Sequence, residues 1–254
     1  MGTRSWPEAR ELWRGPRILG HRGASAHALE NTLPAFERAR ADGADGVELD
    51  VHRCRSGELV VFHDAGLERL AGRPGLIQQL DWSELRQVEL RGGGRIPQLD
   101  DVLDTLDNAA LINVELKATA QESGRPLAGA LADWLRKRRP GPRVLISSFH
   151  PLALLLLSRR QPDQPTGLLM GDEQARWLRE GWSRHALRPF ALHPQHTLLT
   201  PARVRRWRRQ GYLLITWTVE GEGAVGARRR GAEVLISNDP GETRRLLYMA
   251  EGRG

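Results

Sequence analysis

The sequence predicts an α/β protein with the architecture of a (β/α)8 TIM barrel, in which eight parallel strands alternate with helices. Two observations support this fold class. Short, nearly continuous apolar runs alternate with longer amphipathic segments, as expected for strands that are covered on both faces. The length of 254 residues allows either two small domains or one barrel of ordinary size, and the apolar content of 40% suits a sizeable core.

Nine segments have the composition of strands, which is one more than a barrel needs. They are residues 17–20, 46–51, 59–62, 111–116, 144–147, 166–170, 190–193, 212–217 and 233–236. One of them is therefore expected at an edge or outside the barrel. The segment 51–58 is too short to hold a crossover helix between the second and third strands, so the exception is expected near it.

Helices are predicted between these strands from amphipathic spacing and from start and stop signals. They cover residues 32–41, 97–106, 127–138, 152–159, 173–179, 202–209, 223–230 and 242–250. Glycines and prolines between the third strand and Pro97 predict a short loop-rich insertion at that point. Residues 1–16 contain Pro7 and Pro16 and predict an irregular N-terminal segment, whereas residues 17–254 predict a single barrel domain.

The composition argues against secreted and membrane-spanning proteins. The longest apolar run, residues 152–157, falls far short of the roughly 20 residues of a membrane span. The first twenty residues lack the apolar core of a signal peptide. The single cysteine, Cys54, excludes an internal disulfide bond and fits a reducing compartment. We therefore expect a cytoplasmic protein with no integral membrane segment.

The net charge of +7 raises the alternative of an arginine-rich nucleic-acid-binding barrel. However, 36 of the 38 basic residues are arginine, and this bias runs through the whole chain. The arginine clusters fall at predicted helix ends, where cations complement the backbone dipole, and few aromatic residues separate them. Solvated helix faces and no nucleic-acid partner are the favoured interpretation.

Three carboxylates follow the pattern of a metal site. Glu48 and Asp50 are two residues apart on a predicted strand, so their side chains lie on the same side of the sheet. Glu115 has the equivalent place on another strand, with Lys117 beside it. Oxygen ligands alone favour Mg²⁺ or Ca²⁺, which would also relieve the repulsion between the acids. The alternative is a buried salt bridge from Lys117 to one of these acids.

Two histidines at predicted strand ends complete an acid–base set. His21 lies in the sequence Gly-His-Arg-Gly, where flanking glycines would let the backbone approach a ligand and Arg22 offers a forked donor for a phosphoryl group. His63 lies beside Asp64, which could orient its imidazole ring. Paired histidines with one hard divalent metal suit the cleavage of a phosphate ester. Most other histidines are expected at the surface, but His193 ends a predicted strand.

The order of these motifs resembles the glycerophosphodiester phosphodiesterase family, and in particular its compact cytosolic bacterial members. The matching motifs are His21-Arg22-Gly23, Glu30-Asn31-Thr32, Glu48-Leu49-Asp50, His63-Asp64, Glu115-Leu116-Lys117, Ser147-Ser148-Phe149, Trp217-Thr218-Val219 and the closing residues 231–240. The resemblance covers about residues 17–250. Single motifs are short, but eight of them in the family order are specific.

The resemblance implies a (β/α)8 barrel that uses a divalent metal to hydrolyse glycerophosphodiesters, the deacylated phospholipids, to sn-glycerol 3-phosphate and an alcohol. It implies that His21 and His63 are the catalytic acid–base pair. It also implies three metal ligands, Glu48, Asp50 and Glu115, and three substrate contacts, Arg22, Lys117 and Trp217. The expected partner is thus a small-molecule substrate, and the sequence leaves the oligomeric state open.

The chain departs from the family pattern at three places: Ala28-Leu29 precede Glu-Asn-Thr, Leu70 stands where Thr is expected, and Ser237-Asn238-Asp239 replaces a Thr-Asp ending. None of these changes removes a catalytic group, although the second can alter the loop over the site. A related barrel phosphodiesterase acting on lysophospholipids or sphingolipids remains an alternative. That alternative predicts an apolar surface entrance or a secretion signal.

Overall fold

The computed structural model describes residues 6–118 and 124–252. Its nine strands are β1 (Arg17–His21), β2 (Gly46–Arg53), β3 (Leu59–Val61), β4 (Leu111–Leu116), β5 (Val144–Ser148), β6 (Thr166–Met170), β7 (Ala191–Pro194), β8 (Leu213–Thr216) and β9 (Val234–Ser237). Its α-helices are α1 (Pro7–Trp13), α2 (Leu33–Ala41), α3 (Glu68–Ala71), α4 (Trp82–Leu85), α5 (Leu99–Thr105), α6 (Arg125–Arg138), α7 (Pro151–Arg160), α8 (Arg176–Arg179), α9 (Arg184–Leu187), α10 (Pro201–Arg209), α11 (Gly221–Arg230) and α12 (Pro240–Ala250).

Eight of the strands form a closed parallel barrel. Its order is β1, β2, β4, β5, β6, β7, β8 and β9, and the pairing of β9 with β1 completes the ring. Leu19 is paired with Gly46 on one side and with Ile236 on the other, so the first strand joins the two ends of the sheet. The predicted TIM barrel is confirmed.

Strand β3 is the predicted ninth strand, and it lies outside the barrel. It runs antiparallel to β2, with Val61 paired to Val51 and Leu59 to Arg53. The connection of five residues between them allows only a direct return, because a parallel crossover needs a dozen residues or more. His63 therefore follows this peripheral strand and not a strand of the barrel. The returning hairpin instead delivers it beside Asp50, whose carbonyl accepts a hydrogen bond from the Phe62 N–H at 3.0 Å.

The sequence predicted an irregular N-terminal segment, but part of it is helical. Residues 1–5 lie outside the described part, but helix α1 occupies most of the rest and begins with a proline at its first turn, a favoured position. Ala9 and Trp13 are buried at the amino end of the barrel, and the Trp13 indole donates to the carbonyl of Pro142 at 3.0 Å. The burial of these two side chains explains why a helix forms here.

The insertion after β3 is more ordered than expected. It contains the two short helices α3 and α4 and a 3-10 turn at Ile77–Gln79. These elements enclose a small apolar cluster of their own, which includes Phe62, Leu67, Leu85 and Ile96. The prediction of helix at 173–179 is only partly met, because α8 covers just its last four residues.

Alternation along the strands decides which side chains reach the functional end of the barrel. Inside the barrel, a layer of apolar residues includes Leu19, Leu111, Leu145 and Ala191. The alternate residues of the same strands pack outward against the helices. Polar side chains replace the apolar ones towards the carboxyl ends of the strands, which is where (β/α)8 enzymes carry their sites. Within the described ranges, no helix is both long and apolar enough to cross a membrane.

Candidate active site

Three carboxylates meet at the carboxyl end of the barrel. Glu48 and Asp50 point inward from β2 because they alternate with Val47, Leu49 and Val51, which pack outward against the helices. Glu115 is paired with Asp50 on the neighbouring strand β4.

One oxygen from each of these acids lies within 4.8 Å of the others. Glu48 and Asp50 are only 4% and 1% exposed, so the cluster is almost fully removed from solvent. The sequence prediction that Glu48, Asp50 and Glu115 come together agrees with this geometry.

The electrostatics of this cluster fit a divalent cation. Burial and the neighbouring charges of Asp50 and Glu115 raise the pKa of Glu48 well above its ordinary value. Burial, with repulsion from Asp50, raises the pKa of Glu115 to about 7. Burial would raise the pKa of Asp50 too, but Lys117 and Arg22 outweigh it and keep that pKa low. A hard cation held by these oxygens would remove the repulsion, so the donor set could hold a divalent metal.

The salt bridge that the sequence analysis gave as an alternative also exists. The Lys117 ammonium lies 3.1 Å from Glu115 Oε1 and 3.4 Å from Asp50 Oδ1. These carboxylates, acting against the cost of burial, raise the pKa of Lys117 above its ordinary value, so it stays charged. Lys117 and Arg22 together cannot neutralise three acids, and Arg22 also pairs with Glu30. The salt bridge and a metal site are therefore compatible.

His21 ends β1 and is held by a residue from the far end of the chain. Its Nδ1 is 2.6 Å from the Oδ1 of Asn238, which also accepts a hydrogen bond from the Ser25 hydroxyl at 2.9 Å. This contact directs Nε2 towards the site, where it lies 3.9 Å from Glu48 Oε2. Burial, with the adjacent charge of Arg22, lowers the pKa of His21 to about 4. The ring is thus neutral at pH 7.

His63 lies in the same pocket and has a different orienting partner. Its Nδ1 donates to Asp64 Oδ1 at 2.7 Å, as the sequence suggested. Its backbone carbonyl lies 3.1 Å from the Nε2 of His52. His52 was expected at the surface, but it is only 2% exposed because β2 directs it inward above Asp50.

Arg22 is positioned by a strained backbone and by three acids. It adopts a positive φ of 54°, and its own N–H donates to Glu48 Oε2 at 3.1 Å. Its guanidinium bonds Glu30 at 2.9 Å and lies 3.4 Å from Asp50. Gly23 is also required by packing, because a Cβ there would lie 2.5 Å from the backbone of Ala35 in α2.

One wall of the pocket is apolar. The ring of Trp217 stands edge-to-face against Phe149 at 5.4 Å, and its indole donates to the carbonyl of His193 at 2.8 Å. Leu169 and Ile236 line the same side. The pocket has a volume of about 140 Å³, and all eight predicted site residues except Asp50 border it.

Sequence reasoning missed several polar residues around the site. The side-chain amide of Asn31 donates a hydrogen bond to Asp50 Oδ2 at 2.8 Å. The backbone of Asn31 adopts a positive φ of 57°. Asn113 borders the pocket next to Glu48 and is 1% exposed, yet neither polar atom of its amide has a partner within the described part of the protein. Two signals in the sequence could have identified these residues. Asn31 lies in the motif Glu30-Asn31-Thr32, and Asn113 is a polar residue inside an otherwise apolar strand.

Comparison with known proteins gives the family. Residues 21–242 match the model of the glycerophosphoryl diester phosphodiesterase family. The chain belongs to this family. A glycerophosphodiester phosphodiesterase from Caldanaerobacter subterraneus subsp. tengcongensis is 32% identical over 238 residues, which are 88% of this chain and 94% of the relative.

Solved structures agree with this assignment. The glycerophosphodiester phosphodiesterase of Thermotoga maritima superposes with a TM-score of 0.75 at 30% identity, covering 90% of this chain and 97% of that one. A phosphodiesterase of Oleispira antarctica, solved with its product sn-glycerol-3-phosphate, has the same fold, with a TM-score of 0.82 at 24% identity over 94% and 98% of the chains.

The family membership, the barrel and the activity class predicted from the sequence are thereby confirmed. The chain is a phosphodiesterase that hydrolyses glycerophosphodiesters. The individual roles of its site residues, the identity of the metal and a cytoplasmic location stay predictions.

Proposed function

We propose that this enzyme hydrolyses glycerophosphodiesters to sn-glycerol 3-phosphate and an alcohol, using two histidines and one divalent metal. The observation that carries this proposal is the position of His21 and His63 on one pocket that also contains the carboxylate cluster. Paired imidazoles can move the two protons that such a hydrolysis requires, and oxygen ligands can hold the cation that binds a phosphate.

Glu48, Asp50 and Glu115 would hold the metal, for which Mg²⁺ and Ca²⁺ are the candidates. A bound divalent cation supplies positive charge next to the phosphoryl oxygens and lowers the pKa of a coordinated hydroxyl group. The buried, partnerless amide of Asn113 beside Glu48 supports a ligand at this place, because leaving such atoms unsatisfied costs about 1–3 kcal/mol.

His21 and His63 would share the proton transfers. Asn238 and Asp64 each fix the Nδ1 side of one ring, which leaves each Nε2 available to the substrate. One histidine accepts the proton of the attacking hydroxyl or water, and the other protonates the leaving alcohol. The neutral state of His21 at pH 7 supports a role as the acceptor.

Arg22 and Lys117 would bind the phosphoryl group. Both are cations that point into the pocket from the metal side. Arg22 bonds Glu30 at 2.9 Å and lies 3.4 Å from Asp50, and Lys117 lies 3.1 Å from Glu115. Trp217 would cover an apolar face of the substrate together with Phe149. The pocket of about 140 Å³ suits the compact glycerophosphoryl group, and the preference for a deacylated substrate is supported by the family match.

A panel assay tests the proposal. Purified enzyme should release sn-glycerol 3-phosphate from glycerophosphodiesters with choline, ethanolamine, glycerol or inositol as the alcohol, and EDTA should abolish the release. Lysophosphatidylcholine is the comparison substrate. Faster cleavage of the lysophospholipid than of every glycerophosphodiester would contradict the proposed substrate class.

Replacing Arg22 by alanine separates phosphate chemistry from nucleic-acid binding. We expect kcat/KM for a glycerophosphodiester to fall about 10-fold or more, because a charged donor to the phosphoryl group is lost. The matched control is Arg206→Ala, which removes the same charge from the outer helix α10. Turnover of that control should stay within about two-fold of the wild type.

Binding measurements complete this test. DNA and RNA affinities of both variants and of the wild type are measured at two salt concentrations, since a phosphate-backbone interaction weakens steeply with salt. The phosphodiesterase assignment would be excluded if the wild-type protein hydrolysed no glycerophosphodiester and bound DNA or RNA tightly, in a salt-sensitive manner that Arg206→Ala abolished.

A further inference from the structure

Arg69 connects the two loops that carry the proposed catalytic groups. It lies in α3, which follows the hairpin strand β3. One edge of its guanidinium donates to Asp64, with Nε 2.6 Å from Oδ2 and Nη2 3.0 Å from Oδ1. The other edge donates to Glu30, with Nη1 2.9 Å from Oε2 and Nη2 2.7 Å from Oε1. Both contacts are forked pairs, the geometry in which a guanidinium holds a carboxylate most firmly.

Each of these carboxylates in turn holds a residue of the site. Asp64 accepts the hydrogen bond of His63 Nδ1 at 2.7 Å. Glu30, in the loop after β1, accepts from Arg22 at 2.9 Å. A continuous chain of charged hydrogen bonds thus runs from His63 through Arg69 to Arg22.

The two carboxylates in this hydrogen-bond network stay ionised near neutral pH. The hydrogen bonds from Arg69, with a further contribution from His63, lower the pKa of Asp64 to about 2 against the effect of burial. Burial opposes the ionisation of Glu30 as well, but Arg69 and Arg22 keep its pKa below the ordinary value. Neither carboxylate is therefore protonated near neutral pH.

We propose that Arg69 is a positioning residue, which fixes His63 through Asp64 and Arg22 through Glu30 and so sets the distance between the two loops. This proposal rests on the proposed roles of His63 and Arg22. Arg69 is not among the residues that border the pocket, so its effect on His63 and Arg22 passes through the two carboxylates. Its side chain is 45% exposed, and exposed ion pairs contribute little to stability.

The test replaces Arg69 by methionine, which keeps the aliphatic length and removes the four donors. We expect kcat/KM for a glycerophosphodiester to fall about 10- to 100-fold, mainly through kcat, because misorientation of His63 weakens proton transfer. Arg69→Lys should recover only part of this loss, because one ammonium group cannot make two forked pairs.

Arg55→Met is the matched control. Arg55 also bonds two carboxylates, Asp81 at 2.6 Å and Glu84 at 3.2 Å, but neither of them contacts a residue of the site. Both variants should melt within a few degrees of the wild type. Only Arg69→Met should change kcat/KM by more than about two-fold.

The ring ¹⁵N NMR shifts of His63 give a readout that is independent of turnover. They should change in Arg69→Met and stay constant in Arg55→Met. If the wild type releases no glycerol 3-phosphate, the proposed function fails, but the His63 shifts still decide whether Arg69 acts on the imidazole. Unchanged His63 shifts in a folded Arg69→Met variant, or an equal loss of activity in both variants, would overturn the proposal.

Discussion

Replacement of His63 or of His21 by alanine is expected to lower kcat on the order of 10²-fold or more, with normal folding. The physical reason is the loss of a proton donor or acceptor within the pocket. Each ring stands on the pocket wall with its Nδ1 bonded, to Asp64 or to Asn238, and among the described residues no third histidine borders the pocket. The measurement is steady-state turnover of a glycerophosphodiester, with circular dichroism as the folding check.

The double variant tests whether the two histidines act in one step. It should lose much less than the product of the two single losses, because groups that act as a unit are not additive. His27→Ala is the matched control, since His27 also bonds an aspartate, Asp239 at 2.8 Å, but lies outside the pocket.

Near-native turnover in His63→Ala would assign the proton transfer to water. His193, which ends β7, is not a substitute, because its ring is fully buried and packs over Gly167 below the pocket.

Removal of the metal is the second change with a large expected effect. Chelation should reduce activity to background, and Mg²⁺ or Ca²⁺ should restore it. Glu115→Gln should weaken metal binding strongly because one of three charged ligands is lost, whereas Asp133→Asn, an exposed carboxylate on α6, should behave as the wild type. The measurement is activity against metal concentration, together with isothermal titration of the metal. An unchanged metal requirement in Glu115→Gln would remove Glu115 from the site.

The pH dependence of metal-free stability follows from the same carboxylates. The pKa values of Glu48 and Glu115 are raised in the folded protein, the latter to about 7, so between roughly pH 4.5 and 7 these two groups bind more protons in the native state than in the unfolded state. Their contribution to the free energy of unfolding should therefore fall as the pH rises through this interval. Burial lowers the pKa values of His21, His52 and His193, so these histidines contribute with the opposite sign below about pH 6.5.

Added Mg²⁺ should reverse this trend, because a cation binds the ionised acids and stabilises only the folded state. The increase in melting temperature that Mg²⁺ causes is measured at pH 5 and at pH 8, and it should be larger at pH 8, where Glu48 and Glu115 are ionised without a proton to displace. A metal-induced increase in melting temperature that is as large at pH 5 as at pH 8 would contradict the proposed role of Glu48 and Glu115.

The sequence by itself determined the barrel and the chemistry of its carboxyl end. Alternation of apolar strands with amphipathic helices is a local property, and most of the barrel strands lie within one or two residues of their predicted positions. The spacing of Glu48 and Asp50 also placed both acids on one face of β2, because side chains alternate strictly along a strand.

Only the tertiary structure decided which strand was excluded and which distant residues orient the proposed catalytic groups. The short connection between β2 and β3 indicated the part of the chain in which the exception lies, but a local pattern does not give the direction in which a strand pairs, so the sequence could not decide between β2 and β3. Closure of the ring brings Asn238 to His21 across 217 positions, and the folded insertion brings Arg69 to Glu30 across 39. Such contacts arise from the packing of whole elements, and they carry no periodic signal in the sequence.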